Sequence, residues 1–116
     1  MIHEERKIGK IIEELTMFFF AVGADKIQSG IEKQDNLVVI DFKSNFDPAY
    51  KDRLEKLNHF MNEEKNEGME DIYWELAGSG DPGETSQLLL VGMMIEKADV
   101  NVNGNEVSMR LYKKML

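Results

Sequence analysis

Two tight-turn dipeptides, Asp35-Asn36 and Asn103-Gly104, constrain the fold of this chain more than any other feature of its sequence. Each dipeptide lies between short segments in which apolar residues recur at every second position. This combination of an alternating pattern and a two-residue turn is typical of a β-hairpin. The chain is therefore predicted to contain two hairpins, one near each end.

The first hairpin has a register in which the turn and the apolar pattern agree. A two-residue turn at Asp35-Asn36 places Ile31 opposite Ile40 and Ser29 opposite Phe42. Apolar side chains of both strands then lie on the same face of the hairpin.

The second hairpin is predicted in the same way. With Asn103-Gly104 as the turn, Val100 lies opposite Val107 and Ala98 lies opposite Met109. Asn-Gly is the strongest short-range hairpin signal, so this register is expected to hold.

Three segments show the spacing of amphipathic helices. Residues 4–22 place one apolar face at Ile8, Ile11, Ile12, Leu15, Phe18 or Phe19, and Val22, and an opposite polar face at Glu4, Lys7, Lys10, Glu13 and Glu14. A second helix is predicted to start with Asp47 as its cap and Pro48 at its first position. A third carries Leu88, Leu89, Val91, Met94 and Ile95 and ends near Lys97.

Together these elements predict one domain over residues 1–116, in the order αββα, a short piece at residues 71–76, then αββ. That order is expected to fold as an α/β (α+β) two-layer sandwich. Its sheet has about four mainly antiparallel strands, with about three helices on one face.

Composition excludes several classes of function. The net charge of −8 repels phosphate backbones and anionic membrane surfaces, so neither nucleic acid nor a membrane is expected as a partner. The chain has no Cys, which excludes disulfides and Cys-ligated zinc and fits a reducing, cytoplasmic location. The two His residues, His3 and His59, lack a visible catalytic or metal-binding arrangement.

The run from Met17 to Phe20 is apolar on every side of the first helix. Met17 and Phe20 continue the polar face of that helix. Two interpretations follow: the helix end is buried under another layer, which is the commoner case, or Met17 and Phe20 form a contact surface for a partner.

A glycine-rich loop precedes the third helix, and Gly78, Gly80 and Gly83 fit the spacing G-x-G-x-x-G. Such a loop can turn its amides toward an anion. Asp81 and Glu84 would repel phosphate there, so a plain loop with a helix cap is the favoured interpretation.

The order of elements and some local strings resemble the GHKL-type ATP-binding fold of histidine kinases, and in particular the small bacterial anti-sigma-factor serine kinases. The first helix of that family carries E-x-x-x-N, and here Glu14 is followed four residues later by Phe18. After its second strand the family has D-x-G-x-x-F-D-P, and residues 41–48 keep Asp41 and the final Phe-Asp-Pro but have Lys43 in place of Gly.

The resemblance implies Glu14 as a catalytic base, Asp41 as an adenine-binding residue, and Gly78, Gly80 and Gly83 as the lid of a nucleotide site. Phe18 offers no oxygen for magnesium, on which phosphoryl transfer rests. We therefore expect a regulatory module that binds a protein partner, of the sigma-factor or regulator type, and has lost kinase activity. A working ATP-binding serine kinase is the alternative. Binding of ATP or ADP without turnover, and a homodimer, are left open.

Overall fold

The computed structural model describes residues 2–55, 57–62 and 84–115. The chain forms helix α1 (Ile2–Ala21), strands β1 (Ile27–Gln34) and β2 (Leu37–Asn45), a 3₁₀ turn (Pro48–Tyr50), helices α2 (Lys51–Leu54), α3 (Leu57–Asn62) and α4 (Glu84–Met94), and strands β3 (Lys97–Asn103) and β4 (Glu106–Lys114). The described elements follow the predicted order, although α4 ends at Met94, before the predicted end near Lys97. The predicted elements at 71–76 and 78–83 lie outside the described residues.

The four strands form one antiparallel sheet in the order β1-β2-β4-β3. The predicted register of the first hairpin is confirmed, because Ile31 pairs with Ile40 and Ser29 pairs with Phe42. Asp35 begins the turn with a φ of 56°. The two central strands, β2 and β4, join the two hairpins into one sheet.

The predicted register of the second hairpin is wrong by two residues. Val100 pairs with Met109 rather than with Val107, and the turn is formed by Gly104 and Asn105. Gly104 has a φ of 61°, and a turn that needs positive φ at its first central position favours Gly there. The shift is an even number of residues, so every side chain keeps its predicted face.

All the described helices pack on one face of the sheet. The inward apolar residues of the two central strands are Val38, Ile40, Phe42, Val107, Met109 and Leu111, and they share one core with side chains of α1, α2, α3 and α4. The predicted two-layer fold, a four-stranded antiparallel sheet with helices on one face, is confirmed.

Helix α1 covers the sheet with the predicted apolar face, but two of its acidic residues do not lie on the exposed side. Glu14 is 5% exposed, and Glu4 Oε2 lies 2.8 Å from Nζ of the buried Lys113 on β4. Both residues lie at the border of the buried face, where a carboxylate needs a cationic partner. The prediction that Glu4 and Glu14 lie on the exposed polar face is therefore wrong.

Helix α1 ends in a Schellman motif. The amide of Ala24 donates to the carbonyl of Phe19 at 2.9 Å, and the amide of Gly23 donates to Phe20 at 3.1 Å. Gly23 has a φ of 88°, which glycine adopts without strain. This motif turns the chain directly into β1.

The segment after β2 starts as predicted at Asp47. Its Oδ1 accepts a hydrogen bond from the amide of Ala49 at 2.9 Å, and Pro48 takes the first position of the following turn. The first turn is 3₁₀ rather than α-helical, and α2 follows from Lys51.

Candidate functional site

The apolar run of α1 divides into a buried pair and an exposed pair. Phe18 and Phe19 are 1% and 0% exposed, whereas Met17 and Phe20 are 54% and 57% exposed. The interpretation that buries Met17 and Phe20 under another layer is wrong. These two side chains lie at the surface, one helical turn apart, so they are neighbours on the same face.

Met17 and Phe20 end a longer exposed line along α1. Gly9, Glu13, Met17 and Phe20 follow one another at spacings of four, four and three residues, and all four are exposed. We call these four residues the outer stripe of α1. Its first half is small and acidic, and its second half is apolar.

The other half of the run anchors α1 to the sheet. The rings of Phe18 and Phe19 meet edge to face with their centroids 5.2 Å apart, and the ring of Phe19 lies 5.5 Å from that of Phe42 on β2. Rigid aromatic packing beneath the helix fixes the position of the exposed residues above it. The outer stripe is therefore presented on a rigid element.

Glu14, the residue implied as a catalytic base, is committed to an ion pair within its helix. Its Oε1 lies 2.8 Å from Nζ of Lys10, and this hydrogen bond raises the pKa of Lys10. The second oxygen, Oε2, is buried and has no hydrogen-bond partner in the described ranges. Glu14 is thus a buried partner of Lys10 on the border of the core.

Phe18, which the resemblance implies in the place of a magnesium ligand, is part of the core. It lies four residues after Glu14 on the same side of the helix. An aromatic ring at this place fills space between α1 and the rest of the core, and it offers no oxygen to a hard cation.

Asp41, the implied adenine ligand, lies on the face of the sheet that carries no described helix. Its neighbours Ile40 and Phe42 are buried toward the helices, and alternate residues of a strand point to opposite faces. Asp41 Oδ1 accepts a 2.8 Å hydrogen bond from Nε of Arg110, its cross-strand partner on β4. The same bond raises the pKa of Arg110.

Around this pair the helix-free face forms an open groove of about 510 Å³ that is mostly polar. In it the hydroxyl of Tyr112 donates to Asp99 at 3.2 Å. Beside the groove, Nζ of Lys97 lies 4.8 Å from the centroid of the Tyr112 ring. This face therefore holds one acid–base pair, Asp41 with Arg110, and Tyr112 contacts both Asp99 and Lys97.

Glu14 and Asp41, the predicted catalytic and adenine-binding residues, do not lie in one site. Glu14 lies among the helices, and Asp41 lies on the other side of the sheet. Gly78, Gly80 and Gly83 are outside the described residues. Within residues 2–55, 57–62 and 84–115, no three His, Cys, Asp or Glu side chains are grouped so that they could bind a metal ion. In the same ranges, no helix combines the length and apolar character needed to cross a membrane.

Sequence reasoning missed Arg110 as the partner of Asp41. The two residues are 69 positions apart, and they meet only because β2 pairs with β4. The sequence does show an acidic residue on one strand and a basic residue on another, each at a position that faces away from the core. This indicates a pair only once the strand order is known.

Comparison of the chain with protein-family models, with curated proteins and with solved structures finds no match.

Proposed function

We propose that this chain is a regulatory module that binds another protein through the outer stripe of α1, in a fold related to histidine-kinase-like ATP-binding domains and without phosphoryl transfer. The observation that carries the proposal is the exposure of two large apolar side chains on one turn of a rigidly packed helix. Met17 and Phe20 each expose more than half of their surface.

The composition of the stripe indicates the chemistry of the partner. Phe and Met are enriched at the cores of protein interfaces, and Met adapts its shape to the side chains that it meets. Glu13 lies beside them, the last turn of α1 has no basic residue, and the whole chain carries a charge of −8. The fitting partner is a protein segment with an apolar centre and basic residues around it.

The proposal excludes phosphoryl transfer because of where Glu14 and Asp41 lie, the two residues that the resemblance implies for a nucleotide site. Glu14 is buried against Lys10, and Asp41 is bonded to Arg110 on the opposite side of the sheet. A base and an adenine ligand must lie in one cleft to act on one nucleotide. The geometry therefore favours the non-catalytic alternative over the serine kinase.

Photo-crosslinking tests the binding surface. Phe20 is replaced by p-benzoylphenylalanine in the cell that produces the chain, and the same residue is placed at Ser108, an exposed position on the helix-free face. We expect a discrete protein adduct from position 20 that Met17→Asp removes and that position 108 does not give. Identical adduct patterns at both positions, or none at position 20, would contradict the proposal.

Thermal unfolding with ATP, ADP and magnesium, each at about 1 mM, tests the alternative. A ligand present at 100 times its dissociation constant adds about 2.7 kcal/mol of stability, which raises the Tm by roughly 10 °C for a domain of this size. We expect no rise. A rise that Asp41→Asn abolishes would establish nucleotide binding and overturn the proposal in its present form.

A further inference from the structure

The two edges of the sheet are protected to different degrees. At the β3 edge, the side chain of Asn62 on α3 bonds to both main-chain groups of Ala98, donating to its carbonyl and accepting from its amide, each at 2.9 Å. At the other edge, β1 pairs only with β2 among the described elements, and seven of its eight residues are exposed. An uncovered edge strand offers unpaired amides and carbonyls to another strand.

The register identifies which groups of β1 point outward. Lys26 and Asn45 lie opposite one another, and the amide of Asn45 donates to the carbonyl of Lys26 at 3.2 Å. In an antiparallel ladder the hydrogen-bonded pairs then fall at every second residue from Lys26. The main-chain groups of Ile27, Ser29 and Ile31 therefore point away from β2.

The charges of the sequence around this edge are complementary when two copies of it run antiparallel. Residues 25–33 read DKIQSGIEK, and Ser29 is their centre. On either side of Ser29, positions at equal distance hold Ile27 and Ile31, then Lys26 and Glu32. One step further out they hold Asp25 and Lys33, so each charged residue mirrors one of opposite sign.

We infer that two copies of this chain associate through antiparallel pairing of their β1 strands about a twofold axis at Ser29, which gives a continuous eight-stranded sheet. The outward groups of Ile27, Ser29 and Ile31 supply about six main-chain hydrogen bonds between the copies. Ile31, which is 57% exposed, then lies beside Ile27 of the other copy.

Charge fixes this register. In it Lys26 lies opposite Glu32 of the other copy, and the twofold axis makes that contact twice. Cross-strand pairs of opposite charge stabilise a sheet, and like charges destabilise it. A shift of two residues in either direction separates both charge pairs, so the Ser29-centred register is the favoured one.

Helix α1 leaves room for this arrangement. It crosses the sheet from β4, where Glu4 near its start forms the ion pair with Lys113, to β2, where Phe19 meets Phe42, and its end also contacts β1. With strands about 4.8 Å apart, a helix over β2 lies roughly 7 Å from the twofold axis. Where α1 lies over β2, the two α1 helices are then about 14 Å apart, beyond the usual helix packing distance of about 10 Å.

Sedimentation velocity over about a hundredfold range of concentration tests the inference, because a small edge contact gives a concentration-dependent dimer. Lys26→Glu and Glu32→Lys each place like charges opposite one another, and the double variant restores the pairs in reverse. We expect each single variant to raise the dissociation constant about tenfold and the double variant to return it to within about threefold of the wild type. Within one copy these residues are about 20 Å apart along the strand, so the rescue reports a contact between copies.

Ser29→Pro is an independent test. The amide of Ser29 points away from β2, so proline removes no hydrogen bond of the monomer but blocks the edge. We expect a monomer that unfolds cooperatively, with Ser29→Ala as a dimeric control. Should the proline variant fail to fold, the Lys26→Glu and Glu32→Lys variants still test the inference. A wild type that is monomeric throughout, or a dimer that neither the charge exchange nor a folded proline variant alters, would overturn the inference.

Discussion

Gly23 and Asp47 meet at the point where α1 passes into the sheet. A Cβ built on Gly23 would lie 2.7 Å from the Cβ of Asp47, closer than two carbon atoms can approach without displacement. The amide of Asp47 also donates to the carbonyl of Val22 at 2.8 Å. The end of α1 and the start of the segment after β2 are therefore held as one joint.

Gly23→Ala is expected to destabilise the chain by about 2 kcal/mol or more, because alanine meets both a positive φ and the side chain of Asp47. Gly9→Ala is the matched control. Gly9 lies inside α1, and apart from the adjacent helix backbone nothing lies within 4 Å of an added Cβ, so alanine there should stabilise by about 1 kcal/mol. Urea unfolding of both variants measures the difference, and equal effects would contradict the role of the joint.

Phe20→Ala is expected to change the free energy of unfolding by no more than about 0.5 kcal/mol, because the ring is exposed. Phe19→Ala should cost about 3–5 kcal/mol, because it leaves a cavity against Phe42. The two substitutions delete the same atoms from adjacent residues. A large loss of stability for Phe20→Ala would show that its surface is used within the fold and is not free for a partner.

The ion pair of Glu4 with Lys113 predicts a pH dependence of stability. The hydrogen bond from Lys113 lowers the pKa of Glu4 below its ordinary value of 4.5, against the smaller opposing effect of burial. An acid with a lowered pKa stabilises the fold above its unfolded pKa, and the contribution is lost as pH falls through the folded pKa.

Glu4→Gln should therefore lower the free energy of unfolding at neutral pH, and its difference from the wild type should shrink as the pH falls below 4.5. Glu5→Gln is the control, because it removes the same charge from an exposed neighbour. Denaturant unfolding at a series of pH values checks the prediction. A difference that grows on acidification would have the wrong sign.

Asn62→Ala leaves the amide and carbonyl of Ala98 without their side-chain partner. We expect a loss of about 1–2 kcal/mol and faster hydrogen exchange at the Ala98 amide. Asn62→Asp keeps the acceptor for that amide and should protect it better than alanine does. Unchanged exchange in the alanine variant would show that Asn62 does not close this edge.

The fold was predictable to the extent that it depends on local pattern. The first hairpin was assigned correctly because Asp35-Asn36 and the parity of Ile31 and Ile40 agree. In the second hairpin two adjacent turns, at 103–104 and 104–105, keep the same apolar face, and parity alone does not distinguish them. The need for positive φ at the first turn residue decided in favour of Gly104.

The candidate site was less predictable, because it depends on contacts between distant parts of the chain. The helical spacing correctly separates Met17 and Phe20 from the buried face of α1, but spacing does not reveal whether another layer covers them. Glu14 lies at the border of that face, where the buried state depends on the ion pair with Lys10. The location of Asp41 opposite Arg110 follows only from the strand order.

The position of β4 between β2 and β3 has a consequence for the synthesis of the chain. Each hairpin can form from neighbouring residues, but the pairing of β2 with β4 joins residues as distant in sequence as Leu37 and Lys114. Until the ribosome has released β4, the inner edge of β2 stays open along the apolar residues Val38, Val39 and Ile40. A nascent chain paused before β4 therefore exposes an unpaired apolar strand edge. A fragment truncated after β3 is expected to aggregate or to be degraded.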